Sequence, residues 1–358
     1  MINDNRLLAT FLDLVRIDNP SGGEGPIAAH VQTLLEGLGL TVEQDPIHNL
    51  LARLPGEGAP LLLNAHMDSV VPCIGVRPIV ADGVIRSSGD TVLGADDLAG
   101  VAAIIEGARA TLDRGGPHRA AEILFTVREE VGLYGAAQFD TSKLQAREGV
   151  TFDSGGDFGG ITIGAPSQDS LYVMISGRAA HAGVAPERGI SAIVVAAEAL
   201  AAMPLGRIDD ETTANIGMIK GGDATNIVPD RVELWGEARS HNQEKLVAQV
   251  EAMVAACEEA ARVRGANVKI EITHKYDAYR LTADMPMIQK LSAALREMGF
   301  EPHLQISGGG SDVNILVQHG IQLANLSVGY REIHSTDEHI AVADLQRAAE
   351  LVARLLAI

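Results

Sequence analysis

Two adjacent glutamates end an apolar segment of this sequence. The stretch ILFTVREEVGLYGA, residues 123 to 136, runs from apolar and β-branched residues through Arg128 into Glu129 and Glu130. A buried strand that ends on two negative charges needs a reason, because unpaired carboxylates are costly to bury. Proton transfer and metal binding are two kinds of chemistry that place carboxylates in this way.

Histidine and acidic residues also follow the other predicted strands. They are His66 and Asp68 after PLLLNA, Asp96 and Asp97 in VLGADDLAG, Asp153 after GVTF, and His334 after ANLSVGYREI. Any one of these residues alone is more often structural or solvated. Ligands of open α/β sheets gather at the carboxyl ends of the strands, so the whole set can converge on one edge of a sheet.

The number and type of these groups predict a metal centre. Several carboxylates at one sheet edge repel one another unless cations lie between them. Two histidines with mixed carboxylates suit Zn²⁺, and Co²⁺ or Mn²⁺ can take its place. The set exceeds the needs of one tetrahedral zinc ion, whereas two ions about 3.5–4 Å apart that share one carboxylate would use it economically.

The elements that must position these residues alternate between strands and helices. Helical periodicity covers residues 5–17 and 26–38, and Gly39 is the predicted C-cap of the second helix. The segments PLLLNAHMDSV, AEILFTVREE and GVTFDSGG are predicted strands, and DDLAGVAAIIEGARATLDRG is a predicted helix. This alternation indicates an α/β domain with a mixed, mostly parallel sheet flanked by helices.

The pattern changes near residue 165. From there to about residue 278 the predicted order is β-α-β-β-α-β, which is typical of a ferredoxin-like α+β sandwich. We therefore predict an inserted domain at 167–278. The α/β domain is then discontinuous, formed by residues 1–166 and 279–358.

Composition narrows the class of protein. The 358 residues suffice for two domains, and the net charge of −19 argues against nucleic acid or an anionic membrane surface as partner. The two cysteines, Cys73 and Cys257, form neither a CxxC pair nor a disulfide framework. There is no signal-peptide pattern and no apolar run of about 18 residues, so we expect a cytoplasmic protein.

Five segments together resemble a known family. NAHMDSV, GADDLAGVAA, REEVGLYGA, TFDSGG and IHSTDEHI resemble the co-catalytic dizinc peptidases and amidohydrolases. This family includes peptidase T, the glutamate carboxypeptidases, aminoacylase and succinyl-diaminopimelate desuccinylase. The resemblance covers nearly the whole chain, and LGADDLAG, GGGSDVN and GRAAHAG are most similar to peptidase T. It implies that the inserted domain is a lid through which two chains form a homodimer.

The resemblance also implies a ligand set for two Zn²⁺ ions. Asp96 would bridge both ions. His66 and Asp153 would complete one site, and Glu130 and His334 the other. The peptide bond between Asp96 and Asp97 would be cis, as is common after the bridging aspartate in this family.

The remaining catalytic roles follow from the same resemblance. Glu129 would stay free of the metal as the general base. Asp68 would hydrogen-bond the far nitrogen of His66 and so fix its tautomer. His181 would donate a hydrogen bond to the oxyanion, reaching across the dimer interface from the lid of the partner chain.

Substrate contacts are predicted at four positions. Asn226 in GGDATNIVPD matches the family's substrate-contacting asparagine of the lid. Arg239 and Arg280 are candidate carboxylate clamps, although such arginines are more often surface residues. Gly309 lies in SGGGSDVNIL, where glycines before a helix start allow the backbone to approach a ligand closely.

The sequence therefore predicts a dizinc hydrolase of amide bonds, most similar to an aminopeptidase that acts on short peptides. An N-acyl amino acid deacylase or a carboxypeptidase of the same family is the first alternative, since the metal centre is shared. A second dizinc aminopeptidase lineage would carry a different second domain. A non-catalytic binding protein would have lost Glu129 or a ligand, and all six positions are present.

Overall fold

The computed structural model describes residues 1–358 and contains nine α-helices and twenty strands. The helices are α1 (Asp4–Leu14), α2 (Gly25–Glu36), α3 (Ala95–Arg114), α4 (Tyr134–Gln138), α5 (Ala192–Ala202), α6 (Gln243–Arg264), α7 (Pro286–Glu297), α8 (Asp312–Gln318) and α9 (Val342–Leu355). The strands are β1 (Thr41–Gln44), β2 (Leu50–Leu54), β3 (Glu57–His66), β4 (Pro78–Ala81), β5 (Val84–Ser87), β6 (Arg119–Thr126), β7 (Glu148–Ser154), β8 (Gly160–Thr162), β9 (Gly164–Ala165), β10 (Ser167–Ser176), β11 (Ala180–His181), β12 (Gly206–Arg207), β13 (Thr212–Gly221), β14 (Ile227–Val228), β15 (Arg231–Ser240), β16 (Asn267–Tyr276), β17 (Tyr279–Arg280), β18 (His303–Gln305), β19 (Gln322–Ser327) and β20 (His339–Ala341).

The chain forms two compact units. The first unit comprises Met1–Gly164, Arg280–Ser307 and Ser311–Ile358, and the second comprises Ala165–Tyr279 with Gly308–Gly310. The assignment of residues 167–278 as a lid and dimerisation domain stays a prediction. None of the helices is both long and apolar enough to cross a membrane.

An eight-stranded sheet organises the first unit. Its strand order is β1-β2-β6-β3-β7-β19-β8-β18, and the central strands β6, β3, β7 and β19 are parallel to their neighbours in that run. The outer pairs β1–β2, β2–β6 and β19–β8 are antiparallel. The central strands are buried along most of their length because apolar residues fill them, as parallel strands covered on both faces require.

Helix α3 lies buried against this sheet. It packs on β3, β7, α1 and α9. A Cβ atom at Gly107 would lie 2.5 Å from the Cβ of Val352, so glycine is needed for α3 and α9 to approach this closely. The peptide bond Asp96–Asp97 at the start of α3 is cis, which confirms the prediction.

The second unit is a five-stranded antiparallel sheet, ordered β12-β13-β15-β10-β16, with α5 and α6 packed against it. Its main elements follow the predicted β-α-β-β-α-β order. A core of aliphatic side chains lies between sheet and helices, including Val173, Val195, Leu234 and Leu246. The predicted fold class, a mixed α/β domain with a ferredoxin-like insertion, is confirmed. One local prediction is wrong, because the C-cap of α2 is Gly37 rather than Gly39.

Candidate metal centre

Glu129 and Glu130 lie in an irregular segment after β6. Arg128 has a φ of 54°, which is uncommon for a residue other than glycine and breaks the alternation of the strand. The backbone N–H of Glu129 donates to Oδ1 of Asp68 at 2.9 Å, and that of Glu130 donates to Oδ2 at 3.2 Å. One ligand atom of each glutamate lies within 4.8 Å of the other and of His66. Both neighbours therefore face one cavity.

Asp96 lies between two groups of potential ligands. Its Oδ1 is 3.4 Å from Nε2 of His66, and that same nitrogen is 3.8 Å from Oδ1 of Asp153. Its Oδ2 is 3.7 Å from Nε2 of His334, and that nitrogen is 3.0 Å from Oε2 of Glu130. One carboxylate thus presents a different oxygen to each histidine–carboxylate pair.

The donor set fits divalent cations. Asp96 Oδ1 and Glu130 Oε1 are buried and have no hydrogen-bond partner. Burial lowers the pKa of the His66 imidazolium, yet the neighbouring carboxylates of Asp68 and Asp96 outweigh burial and raise it well above its ordinary value. A field that would hold a proton on a fully buried histidine would equally attract a metal ion, and nitrogen and oxygen ligands are those that zinc takes.

Unlike Glu130, Glu129 makes no ion pair with a histidine. The residue is 8% exposed. Burial raises its pKa well above the usual value, and the charges of Asp153 and Glu130 raise it further. A glutamate with a raised pKa is a stronger base near neutral pH, as proton transfer requires.

Asp68 supports several of these groups at once. Nδ1 of His66 lies 3.0 Å from the main-chain oxygen of Asp68 and 3.4 Å from its Oδ1, so the carbonyl rather than the carboxylate makes the shorter contact. The Asp68 carboxylate also accepts a hydrogen bond from Ser21 Oγ at 2.6 Å. Burial raises the pKa of Asp68, but His66 and the donated hydrogen bonds prevail and hold it below its usual value.

A layer of buried polar side chains lies two residues before the candidate ligands on β3 and β7. It was not predicted from the sequence. Asp312 Oδ2 accepts from Thr126 Oγ1 and, at 3.2 Å, from Asn64 Nδ2. Asn64 Oδ1 accepts from Thr151 Oγ1 at 2.9 Å. These side chains join the strands β6, β3 and β7; His66 and Asp153 lie on β3 and β7, and Glu129 follows β6. Asn64, a polar residue within the apolar segment PLLLNA, could have indicated this layer.

Glu338 is a second missed carboxylate. Its Oε2 accepts from the backbone N–H groups of Leu93 and Gly94 at 2.8 Å each, and its Oε1 accepts from that of Asp96 at 2.9 Å. Burial raises its pKa to about 7; the charge of Asp96 raises it too, while the three N–H bonds act in the opposite direction. The motif IHSTDEHI contained it, but nothing local in the sequence showed its partners.

Asp97 and Tyr330 complete the surroundings. Asp97 Oδ2 accepts from the backbone N–H of His66 at 3.2 Å, and burial raises the pKa of Asp97 well above its usual value. The hydroxyl of Tyr330 donates to Oδ1 of Asp153 at 3.4 Å. The two groups thus hold one ligand by its main chain and another by its side chain.

His181 and Asn226 lie in the second unit, His181 in the short β11–β14 sheet and Asn226 directly before β14. His181 ends β11, where it pairs with Ile227 of β14, and the N–H of Ala182 donates to the main-chain oxygen of Asn226 at 2.9 Å. Nδ1 of His181 accepts from the N–H groups of Gly183 and Val184 at 3.1 and 3.2 Å. A neutral ring with Nδ1 accepting carries its proton on Nε2, and this exposed residue can donate it.

The other predicted substrate contacts differ in their surroundings. Arg239 bonds Glu237 through Nε at 2.8 Å and Nη2 at 3.0 Å, so part of its guanidinium is engaged. Arg280 is exposed. Gly309 belongs to Gly308–Gly310, which groups with the second unit. The helix expected to attract a carboxylate is α8, and its first residue is the acidic Asp312.

Comparison with known proteins identifies the family of this chain. The model of the M20 peptidase dimerisation domain matches residues 164–264, and that of peptidase family M28 matches residues 49–166. The structure of aminopeptidase PepT from Bacillus cereus ATCC 10987 is 41% identical, with a TM-score of 0.84, and covers 99% of this chain and 98% of that one. The chain belongs to the peptidase T-like M20 family. It is accordingly an enzyme of the metallopeptidase class, and the resemblance read from its sequence is confirmed.

Other M20 relatives cover the chain to the same extent. A tripeptidase (SAV1512) from Staphylococcus aureus subsp. aureus Mu50 is 39% identical, with a TM-score of 0.91, over 99% of this chain and 98% of that one. The YqjE protein of Bacillus subtilis strain 168 is 41% identical over 99% of both chains. Bacillus subtilis YXEP, described as a dinuclear metal-binding peptidase of the M20 family, is 20% identical with a TM-score of 0.70 over 99% of this chain and 98% of that one, and it shares the fold.

Proposed function

We propose that this protein is an aminopeptidase that cleaves short peptides with two divalent metal ions. The observation that carries the proposal is the placement of Asp96, whose two carboxylate oxygens face two separate histidine–carboxylate pairs. A single structural cation would not need two such pairs with a shared carboxylate between them.

Five residues would hold the ions. Asp96 would be shared by both ions, His66 and Asp153 would complete one site, and Glu130 and His334 would complete the other. Zn²⁺ suits this mixture of nitrogen and oxygen ligands, and Co²⁺ or Mn²⁺ can replace it. When bound, such ions would polarise the scissile carbonyl and make a water molecule easier to deprotonate.

Glu129 acts as general base in this proposal. Its side chain faces the same cavity as Glu130 and His66, and burial raises its pKa well above the usual value. Glu129 takes a proton from the attacking water and passes it to the nitrogen of the leaving amine. Asp68 positions this base, because it accepts a hydrogen bond from the N–H of Glu129.

His181 donates a hydrogen bond to the developing oxyanion. The two backbone N–H groups that donate to Nδ1 leave the proton on Nε2, where it can serve as the donor. We propose that it acts in the active site of a partner subunit, and the match to a dimerisation domain over residues 164–264 supports a dimer. Asn226, whose main-chain oxygen accepts from the N–H of Ala182 beside this sheet, contacts the substrate.

The substrate class is the finer part of the proposal. Relatives at 41% and 39% identity are named an aminopeptidase and a tripeptidase, which favours peptides with a free amino group. The candidate clamp Arg239 already pairs with Glu237, and α8 begins with Asp312, so neither gives direct support for a carboxylate pocket. Arg280 remains the candidate clamp for a deacylase or carboxypeptidase. Cytoplasmic location stays a prediction from the sequence.

A substrate panel tests this choice. The panel contains a free-amine tripeptide, the same tripeptide N-acetylated, and an N-acyl amino acid, each assayed with Zn²⁺, Co²⁺ or Mn²⁺. We expect release of the N-terminal residue from the free-amine peptide alone, abolished by a chelator. Preference for either blocked substrate would move the protein to the deacylase or carboxypeptidase alternative.

A further inference from the structure

His334 lies on the exposed loop between Arg331 and His339. The loop is closed where the N–H of Arg331 donates to the oxygen of His339 at 2.9 Å and the N–H of His339 donates back at 3.2 Å. His334 has a φ of 60°, and its side chain is 51% exposed. Packing alone therefore does not fix the position of this imidazole.

The segment that carries Asp96 also needs hydrogen-bond partners from another part of the chain. Helix α3 starts after Gly94, which has a φ of 77° and no side chain that could cap the helix. The first N–H groups of a helix have no partner within the helix and require acceptors from elsewhere.

The side chain of Glu338 links the His334 loop to the start of α3. It lies near the base of the His334 loop, where its own N–H donates to the oxygen of Ser335 at 3.2 Å. Its carboxylate accepts from the N–H groups of Leu93, Gly94 and Asp96 and is 2% exposed as a residue. A carboxylate that accepts three backbone hydrogen bonds in a buried place has little freedom to move.

We propose that Glu338 is a positioning residue that sets the spacing of His334 and Asp96, and so builds the half of the centre that they form with Glu130. The inference rests on the proposed two-metal function. Glu338 touches neither ion and no substrate. It acts through the loop on one side and the start of α3 on the other.

This role makes a selective prediction about the two ions. The site of Asp96, Glu130 and His334 depends on the loop, whereas His66 and Asp153 come from the ends of β3 and β7 in the central sheet. Loss of Glu338 should therefore weaken binding of the ion held by Glu130 and His334 more than binding of the ion held by His66 and Asp153, which shares only Asp96 with it. Partners that orient ligands typically contribute about 10–100-fold in metal affinity.

The test is a metal titration of Glu338→Gln, which has the same shape but turns one acceptor oxygen into a donor. Glu122→Gln is the matched control. Glu122 is also 2% exposed, and its Oε2 accepts from the N–H groups of Gln145 and Ala146 at 2.9 Å each, on a loop that carries no ligand. Calorimetry with Zn²⁺ gives the stoichiometry and both affinities, and the Tm of the metal-free proteins reports the loss of stability.

We expect Glu338→Gln to bind one ion about 10–100-fold more weakly than the wild type and to lose less affinity for the other ion, which shares Asp96. Glu122→Gln should bind both ions with wild-type affinity, even if its Tm falls as much as that of Glu338→Gln. Normal binding of both ions by Glu338→Gln, or equal weakening in Glu122→Gln, would overturn the inference. If Glu338→Gln does not fold, Glu338→Asp replaces it with the same two outcomes. A wild-type protein that binds fewer than two ions would instead count against the proposed function.

Discussion

Glu129 and Glu130 are chemically identical neighbours that meet different partners. Glu130 lies 3.0 Å from the imidazole of His334, whereas Glu129 is grouped with His66 and Glu130 and has no contact of that kind. Asp68 accepts from the N–H groups of both. The proposed difference between base and ligand therefore comes from where each side chain points, since their backbones share one anchor.

Substitution of each glutamate by glutamine separates the two roles. Glu129→Gln should lower kcat by about 10²–10⁴-fold while two metal ions remain bound, because only proton transfer is lost. Glu130→Gln is the matched control and should lose affinity for one ion. Kinetics and metal analysis of the same preparations provide the measurement, and metal loss in Glu129→Gln would contradict the assignment.

The candidate ligands at strand ends were predictable as a set, although each one alone gave little information. His66, Asp96, Glu130, Asp153 and His334 follow apolar segments or precede a helix, and the structure brings them together as the strand-end rule predicts. Asp312 and Glu338 were not predictable in this way. Asp312 bonds a residue 186 positions away, and Glu338 bonds residues 242 to 245 positions away, so their partners depend on how distant elements pack.

At the scale of elements, the buried polar layer joins β6, β3 and β7. Asn64 in β3 contacts Asp312 on one side and Thr151 on the other, and its Nδ2 also donates to the oxygen of Leu124. An apolar layer would pack as densely, but it has no directional bonds to fix how far neighbouring strands are shifted along their axes. His66 ends β3, Asp153 lies at the end of β7, and the segment of Glu129 follows β6. The positions of these strands along their axes therefore set the spacing of the site.

Asp312→Ala should destabilise this layer strongly. The amide of Asn64 and the hydroxyl of Thr126 would lose an acceptor in a buried place, at about 1–3 kcal/mol for each unsatisfied group. Asp312→Asn keeps a carbonyl oxygen that both donors can reach, and it should lower the free energy of unfolding by less. Denaturant unfolding of the metal-free proteins measures both, and equal stability of Asp312→Ala and wild type would refute this role.

At the scale of the whole molecule, the element order revealed the architecture. Strand–helix alternation predicted the α/β domain, and the β-α-β-β-α-β order predicted the ferredoxin-like insertion, because each reflects only hydrophobic periodicity. The direction of the strands at the sheet edge was harder to predict from the sequence. The β1–β2 and β2–β6 pairs are antiparallel, and direction depends on pairing partners rather than on any one segment.

Trans action of His181 predicts that two inactive chains can complement each other. A heterodimer of one His181→Ala chain and one Glu129→Ala chain contains one site with both an intact base and an intact donor. We expect mixing to restore activity to a fraction of the wild type, whereas each variant alone stays low. Confirmed heterodimers without restored activity would show that His181 does not act across the interface.

The most direct test of the two-metal centre is activity as a function of metal returned to metal-free protein. The protein is stripped with a chelator, Zn²⁺ is added in measured equivalents, and hydrolysis of a free-amine tripeptide is followed. The shared Asp96 predicts that activity is absent without metal and reaches its full value at two equivalents per chain. Full activity in the stripped protein, or at a single equivalent, would contradict a centre built around a bridging carboxylate.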